Sequence, residues 1–287
     1  MTPKSFNDPH NIRLHQEDHP PKISPLAQVD PAAIIDNNVE IGPFCMIGPK
    51  AKIGRGTILH NNVTLMGDVA VGENNVIFPN AVLGGFPQDL SYRGTETKVI
   101  VGDRNIIREC VTINRASEKE DGVTLVGSDC YFMGNVHVAH DCCVGDKVII
   151  GHGSMLGGHV HVDHHATLSG CVAVTHYASI GCYTFVGGAS RVLQDIAPYM
   201  LADGNPARPR CINVVALKRN NFAGNVIQAL NEAYRLLYRA RVGLESAREI
   251  TRAKGVQIPD IEHLFDQLAI SQIGNHGRGR EALRKAA

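Results

Sequence analysis

An apolar residue recurs at every sixth position over most of the first two thirds of the chain. The series Ile23, Val29, Ile35, Ile41, Ile47, Ile53, Leu59, Leu65, Val71, Ile77, Leu83 resumes after an interruption at Val101, Ile107 and Ile113. A shifted series starts at Val126 and Phe132 and continues through Val138, Val144, Ile150, Leu156, Val162, Leu168, Val174, Ile180 and Val186 to Val192. None of the 11 + 3 + 12 = 26 positions is polar. A period of six matches neither the 3.6 of a helix nor the 2 of a single strand. It fits a prism-shaped β-solenoid in which each hexapeptide forms one short face and three form a coil. The position four after each aliphatic is small throughout, from Ala27 and Ala33 to Thr184 and Ser190, as a crowded interior requires. The position just after the aliphatic is often glycine, as in Ile41-Gly42, Ile53-Gly54 and Val144-Gly145, which is expected where the chain turns a tight corner.

The fold expected is mainly β, a parallel β-helix over residues 23–196 with about nine or ten coils. Two insertions break it, near 84–98 and 114–123. Loops thrown from a rigid scaffold favour binding, but the second, with Ser117-Glu-Lys-Glu-Asp-Gly122, is charged and patternless and reads as solvated. Residues 1–22 carry no repeat and no apolar core, and are expected to be a disordered arm. The period stops after Val192, and Ala197-Pro198 with Gly204-Asn205-Pro206 marks a boundary. Beyond it, Val226, Ile227, Leu230, Ala233, Tyr234, Leu237 and Tyr238 form a helical stripe, with shorter candidates near 244–253 and 261–270. Residues 197–287 are therefore expected to be a C-terminal α-helical domain whose end, from Asn275, frays.

Composition narrows the function. The 287 residues balance 28 basic against 28 acidic side chains, so whole-molecule attraction to nucleic acid or membrane is not indicated. The charges are unevenly placed. Residues 197–287 hold 14 Lys/Arg against 8 Asp/Glu and residues 23–196 hold 11 against 17, which points to an anionic ligand or partner near the junction. No stretch has the length and apolarity of an integral membrane segment, and no export signal is legible, so the eight cysteines read as reduced thiols of a cytoplasmic protein. Cys45, Cys130 and Cys142 fall in the small-residue slot and read as core filler.

Eight of the 14 histidines lie between His137 and His176. In an eighteen-residue coil, 140 + 18 is Gly158 and 158 + 18 is His176, so a histidine, a glycine and another histidine share one column. The next column sets Asp141 beneath His159. An imidazole beside a carboxylate and facing a backbone N–H on the next coil is a general base with its orienting acid and an oxyanion donor, which suits acyl transfer. Two other readings stay open: a zinc enzyme like the gamma-class carbonic anhydrases, for which His159-x4-His164 has a compatible spacing, and a non-catalytic hexapeptide module that binds or assembles.

Several segments resemble one family closely. Asn135-Val-His137-Val-Ala-His140-Asp141-Cys142, Gly158-His159-Val160, Gln88-Asp89-Leu90-x-Tyr92, Gly102-Asp-Arg-Asn105, Arg108-Glu-x-Val-Thr-Ile113 and Leu217-Lys218-Arg219-x-x-Phe222 are similar to the acyl-carrier-protein–UDP-N-acetylglucosamine O-acyltransferases, which begin lipid A synthesis. The resemblance covers about residues 23–270. It implies a left-handed β-helix, a cytoplasmic homotrimer, and transfer of an (R)-3-hydroxyacyl chain to the 3-hydroxyl of UDP-N-acetylglucosamine or to a 3-amino analogue of that UDP-sugar. It implies no cofactor, since acyl carrier protein delivers the chain on its phosphopantetheine. It makes His140 the general base, Asp141 its orienting partner and Gly158 the oxyanion donor. Gln88, Asp89, His137 and His159 would contact the sugar or the acyl hydroxyl, with His176 also on the substrate side. Asn213 and Arg219 would meet the nucleotide phosphates, and Gly188 would end the acyl groove. The chain departs from the family pattern at Ser91, where a lysine is usual, at Thr175-His176 in place of His-Gln, at Val215 and Asn220 in place of Glu and Arg, and at Pro206.

Overall fold

A computed structural model describes residues 18–253, 258–274 and 276–286. Two- to four-residue strands stack into three parallel sheets, and each turn of the chain contributes one strand to each sheet. The chain folds as a left-handed parallel β-helix. Strand pairing runs eighteen residues ahead, as in His137 with Met155 and Met155 with Ala173. The two interruptions are longer coils. Val69 pairs with Val99, a step of 30 and so an insertion of 12, and Lys98 pairs with Val123, a step of 25 and so an insertion of 7. The six-period residues from Ile41 onward, with Phe132 the bulkiest, lie buried on the axis, so every coil closes over its neighbours.

The small slot and the glycines have distinct causes. Slot residues point inward at each corner, where Thr57, Asn75 and Asn105 are buried polar groups that satisfy one another coil to coil: Asn75 N donates to Thr57 Oγ1 (3.1 Å) and Asn105 N to Asn75 Oδ1 (2.9 Å). Cys130 and Cys142 sit there as free thiols, pushed up to about 12 by burial and therefore poor nucleophiles. The glycines after the aliphatics are not the residues that turn the corner. A Cβ on Gly54 would lie 2.7 Å from the carbonyl carbon of Gly72, and one on Gly145 2.7 Å from the amide of His164, so close coil stacking forbids a side chain. Positive φ falls two residues later instead, at Asn38, Asn62, Asn80, Asn135 and their equivalents.

The ends differ from expectation. Residues 18–22, expected in the disordered arm, already join the first coil: His19 N donates to Asn38 Oδ1 (2.8 Å), and Lys22 pairs with Glu40. The remainder of that arm, 1–17, lies outside the described residues. At the other end, 197–212 is not helical. Met200–Gly204 adds to one sheet and Ala207–Ile212 turns back antiparallel along it, so this hairpin closes the solenoid. Helices follow: α1 (Val214–Arg219), α2 (Gly224–Tyr234, widening to a π-turn over 235–239), α3 (Leu244–Ala253), α4 (Pro259–Ile273) and α5 (Gly279–Ala286). The stripe buries Leu230, Ala233 and Tyr234. The segment expected to fray holds α5, tied back to the solenoid by Gly279 N donating to Asp195 Oδ2 (2.9 Å) and Arg278 Nη1 to Leu193 O (3.1 Å). No helix among the described residues is long and apolar enough to cross a membrane.

Candidate active site

The histidine-rich corner joins the second sheet to the third. Each coil turns there through two residues, and the second of them, Asp141, His159 and Tyr177 in turn, holds φ near +60° (59°, 62° and 63°). Coil stacking sets His140, Gly158 and His176 in one column and Asp141, His159 and Tyr177 in the next, pinned by His159 N donating to His140 O and Tyr177 N to Gly158 O (3.0 Å each). The His140 ring lies against Gly158, where a Cβ would fall 2.6 Å from its Cε1 and 2.7 Å from its Nε2. Only glycine admits the imidazole. The Gly158 N–H has no acceptor among the described residues.

Asp141 orients that imidazole. Its side chain is wholly buried, and its Oδ2 lies 2.7 Å from His140 Nδ1. Ser117 Oγ donates to Oδ2 (2.6 Å) and Ser117 N to Oδ1 (3.0 Å). Burial pushes the Asp141 carboxyl upward, but the bonds from His140 and Ser117 and the field of His159 outweigh it and hold the group below its ordinary range. Asp141 is thus a carboxylate at neutral pH. It accepts from Nδ1–H and leaves Nε2 with the lone pair, the nitrogen that faces Gly158.

His159 is packed on three sides. Its ring stacks on Tyr177 (4.3 Å, 7°) and meets His140 edge-on (5.1 Å, 90°). Nε2 is 3.6 Å from Asp141 Oδ2, and Nδ1 is 3.1 Å from Glu120 Oε1 but off the line of a hydrogen bond, so that contact is electrostatic. His137 shares a 2.7 Å hydrogen bond with Thr112 Oγ1, and burial, then His140, hold its imidazole below the ordinary value. Gln88 is exposed on the first inserted loop. Next to it, Asp89 is paired with Lys119 and accepts from Ser91 N (2.9 Å) and Oγ (2.8 Å), which together hold its carboxyl far below the carboxylate range. Where the family pattern has a lysine at 91, the ammonium here arrives on Lys119 of the other loop.

The loop 114–123, expected to be solvated, is instead part of the site. Ser117 is fully buried on Asp141, Lys119 binds Asp89, and Glu120 faces His159. Its charged composition hid this, because the partners it neutralises lie on other coils. Asp141, C-terminal to the insertion and one coil further on, was the one available hint, because a carboxylate set beneath His159 in the stack needs a donor. The remaining candidates stand apart from the cluster within one chain. His176 is exposed and edge-on to Tyr177 (5.7 Å). Asn213 caps α1, its Oδ1 accepting from Ala216 N (3.2 Å) and its Nδ2 donating to Tyr183 O (2.8 Å). Arg219 is exposed at the end of α1. Gly188 is exposed, and a Cβ there would meet nothing closer than Gly170 O at 3.4 Å.

Among the described residues, two groups have metal-ligating chemistry. His140, Asp141 and His159 bring ligand atoms within 4.8 Å of one another, but the His140 and Asp141 atoms are bonded together, so an ion there would displace the orienting bond. Asp163, Cys182 and His263 form the second group, with the Cys182 thiol buried. His164, the other half of the spacing with His159, turns the next corner and packs on Tyr183 (5.3 Å), so the two cannot share an ion within one chain.

Comparison with known proteins agrees with the geometry. Residues 195–279 match the family model for domain 2 of UDP-N-acetylglucosamine O-acyltransferase, and residues 32–67, 50–85 and 124–158 match the bacterial transferase hexapeptide model. The chain is 37% identical to LpxA from Acinetobacter baumannii, with a TM-score of 0.82 over 85% of this chain and 95% of that one. It is 36% identical to the UDP-N-acetylglucosamine acyltransferase of Francisella novicida (TM-score 0.83, covering 86% and 91%). It is also 36% identical to the UDP-N-acetylglucosamine O-acyltransferase of Moraxella catarrhalis RH4 (TM-score 0.80, covering 85% and 95%). With identity of this size along nearly the whole of those chains, the protein belongs to the UDP-N-acetylglucosamine O-acyltransferase family.

Proposed function

We propose that this enzyme transfers an (R)-3-hydroxyacyl chain from the phosphopantetheine thioester of acyl carrier protein to the 3-hydroxyl of UDP-N-acetylglucosamine, the first step of lipid A synthesis in the cytoplasm. The observation that carries the reading is the His140–Asp141 pair lying directly beneath the unpaired Gly158 amide. His140 Nε2 removes the proton from the sugar 3-hydroxyl as that oxygen attacks the thioester carbonyl. The carbonyl oxygen becomes an oxyanion and accepts from Gly158 N–H. Collapse expels the phosphopantetheine thiolate, which takes the proton from the His140 imidazolium, and ester and free thiol leave. Every proton and electron pair is then accounted for, and no metal or organic cofactor takes part. Asp89, Gln88, His137 and His159 would position the sugar and the acyl hydroxyl.

Asn213, Arg219 and His176 do not reach His140 within one chain, and this supports a homotrimer in which a neighbour brings them to it. The outward positions of the second sheet include Met46 and Met155, each 53% exposed, on the face that carries His137. Such a strip on a narrow solenoid favours burial between subunits. Light scattering of the active enzyme should give three chains, and an active monomer would contradict this arrangement. The guanidinium of Arg219 suits the nucleotide diphosphate, and the basic helical end suits the two anionic substrates.

Chain length should be read at Gly188. A Cβ there would make only ordinary contacts, with Gly170 O at 3.4 Å and Ser169 Oγ at 3.5 Å, so a longer side chain would not force the coil apart. The wild type should prefer acyl chains of about fourteen carbons, and Gly188→Met should shift the preference several carbons shorter, because each excluded CH₂ forfeits about 0.8 kcal/mol of burial. A panel of acyl carrier protein thioesters of graded length, offered with UDP-N-acetylglucosamine and with its 3-amino analogue, measures this and the acceptor together. An unchanged length profile in Gly188→Met would place the end of the groove elsewhere. No transfer to either sugar would overturn the activity itself.

A further inference from the structure

The family match ends at residue 279, one residue short of a side chain that returns to the site. Arg280, in the first turn of α5, donates from Nη1 to the carbonyl of His159, and its Nη2 lies 3.2 Å from Glu120 Oε2. Glu120 in turn faces His159 Nδ1 across 3.1 Å. Arg280 and Glu120 are 21% and 25% exposed, so the pair is largely withdrawn from water and from the screening that makes surface ion pairs weak. Burial alone would raise the Glu120 carboxyl, but His159 and Arg280 hold it below its ordinary range, and it remains an anion beside the ring. The guanidinium field reaches further: burial, then Arg280, lower neighbouring His161 to about 4 and keep it uncharged.

The arrangement is asymmetric in a useful way. His159 holds φ of +62°, a conformation uncommon for a residue with a side chain, and its carbonyl is the acceptor that Arg280 binds. The same turn carries the Gly158 amide one residue earlier. Arg280 therefore fixes, from one point, both the backbone that aims the oxyanion donor and the carboxylate that faces the His159 ring. α5 is held for this duty by Asp195, which accepts from Gly279 N (2.9 Å) and from Ser179 N (2.8 Å) of the solenoid.

We propose that Arg280 is a positioning residue for acyl transfer, acting through Glu120 and the His159 carbonyl, and that α5 serves as a strap that closes the back of the site. Its catalytic readout rests on the function proposed above, and its geometric readout does not.

The test uses the full-length enzyme with Arg280→Met, Arg280→Lys, Glu120→Gln and the Arg280→Met/Glu120→Gln double variant. Arg280→Met is expected to lower kcat/KM about tenfold to a hundredfold, the scale of a displaced reacting geometry, when assayed well below a melting temperature that the broken ion pair also lowers. Arg280→Lys should recover part of the loss, since an ammonium can keep one of the two contacts. Because both residues act through one unit, the double variant should be little worse than the poorer single variant. Spectra of ¹⁵N-histidine-labelled enzyme should show the His159 ring resonances displaced in Arg280→Met and in Glu120→Gln while those of His19 and His60 stay in place. Wild-type activity in Arg280→Met, or additive losses that follow the melting temperature, would overturn the proposal. If wild-type enzyme proves inactive toward UDP-sugars, the function falls, and unmoved His159 resonances in the two single variants would separately sink the strap.

Discussion

Replacing His140 with alanine should lower kcat by about 10²–10⁴-fold, the usual worth of a general base, while the protein stays folded. The ring lies outside the axial core and is 12% exposed, so its removal opens no cavity among the stacked aliphatics. On the proposed mechanism, what is lost is the proton acceptor that Asp141 orients beside Gly158. A steady-state assay paired with a melting curve separates the two effects. A loss below about tenfold with an unchanged melt would move the base elsewhere, and His176, in the same column two coils on, would be the next residue to replace.

Gly158→Ala should be nearly as damaging although it adds one methyl group. The new Cβ would stand 2.6 Å from His140 Cε1, well inside the roughly 3.5–4.0 Å at which carbons rest. Either the imidazole swings away from Asp141 or the turn carrying the oxyanion donor lifts. A displacement of about 1 Å in a reacting group can cost about 10²-fold, and here the two proposed catalytic partners compete for the same space. Gly170→Ala is the matching control. It occupies the equivalent first position of another corner, where the added Cβ would come no closer than 3.4 Å to His152 O. Gly170→Ala should retain activity, and equal loss in both variants would mean that any methyl at a corner disturbs the coil.

The part of the fold governed by local repetition was legible from residues alone. Each coil is built from contacts between positions a constant distance apart, so Ile41, Leu59 and Ile77 report their packing through spacing. Helices α3 and α4 were legible for a similar reason, since one face of each is apolar at helical intervals. Legibility failed where a residue's role depends on something distant in sequence. Met200–Gly204 becomes a strand because the sheet ahead of it offers an open edge, which nothing within 197–212 announces. Ser117, Lys119 and Glu120 look like an ordinary solvated loop until Asp141, Asp89 and His159 are placed opposite them. Arg280 reaches a carbonyl 121 residues away. The histidine column lies between these cases: His140, Gly158 and His176 follow from the eighteen-residue step, but the fit of an imidazole against a missing Cβ depends on contact in space between two coils.

If this corner makes an ester at the sugar 3-oxygen, the new bond can be observed where it forms. The most direct measurement is a single-turnover reaction of the purified wild-type enzyme with a 3-hydroxyacyl acyl carrier protein and ¹³C-labelled UDP-N-acetylglucosamine, with the product read by carbon NMR. The C3 resonance should move as an ester forms there, with free carrier thiol appearing in equal amount and the signal nearly absent with His140→Ala. Acylation at another carbon, release of free fatty acid without sugar ester, or full product formation by His140→Ala would contradict the proposed function.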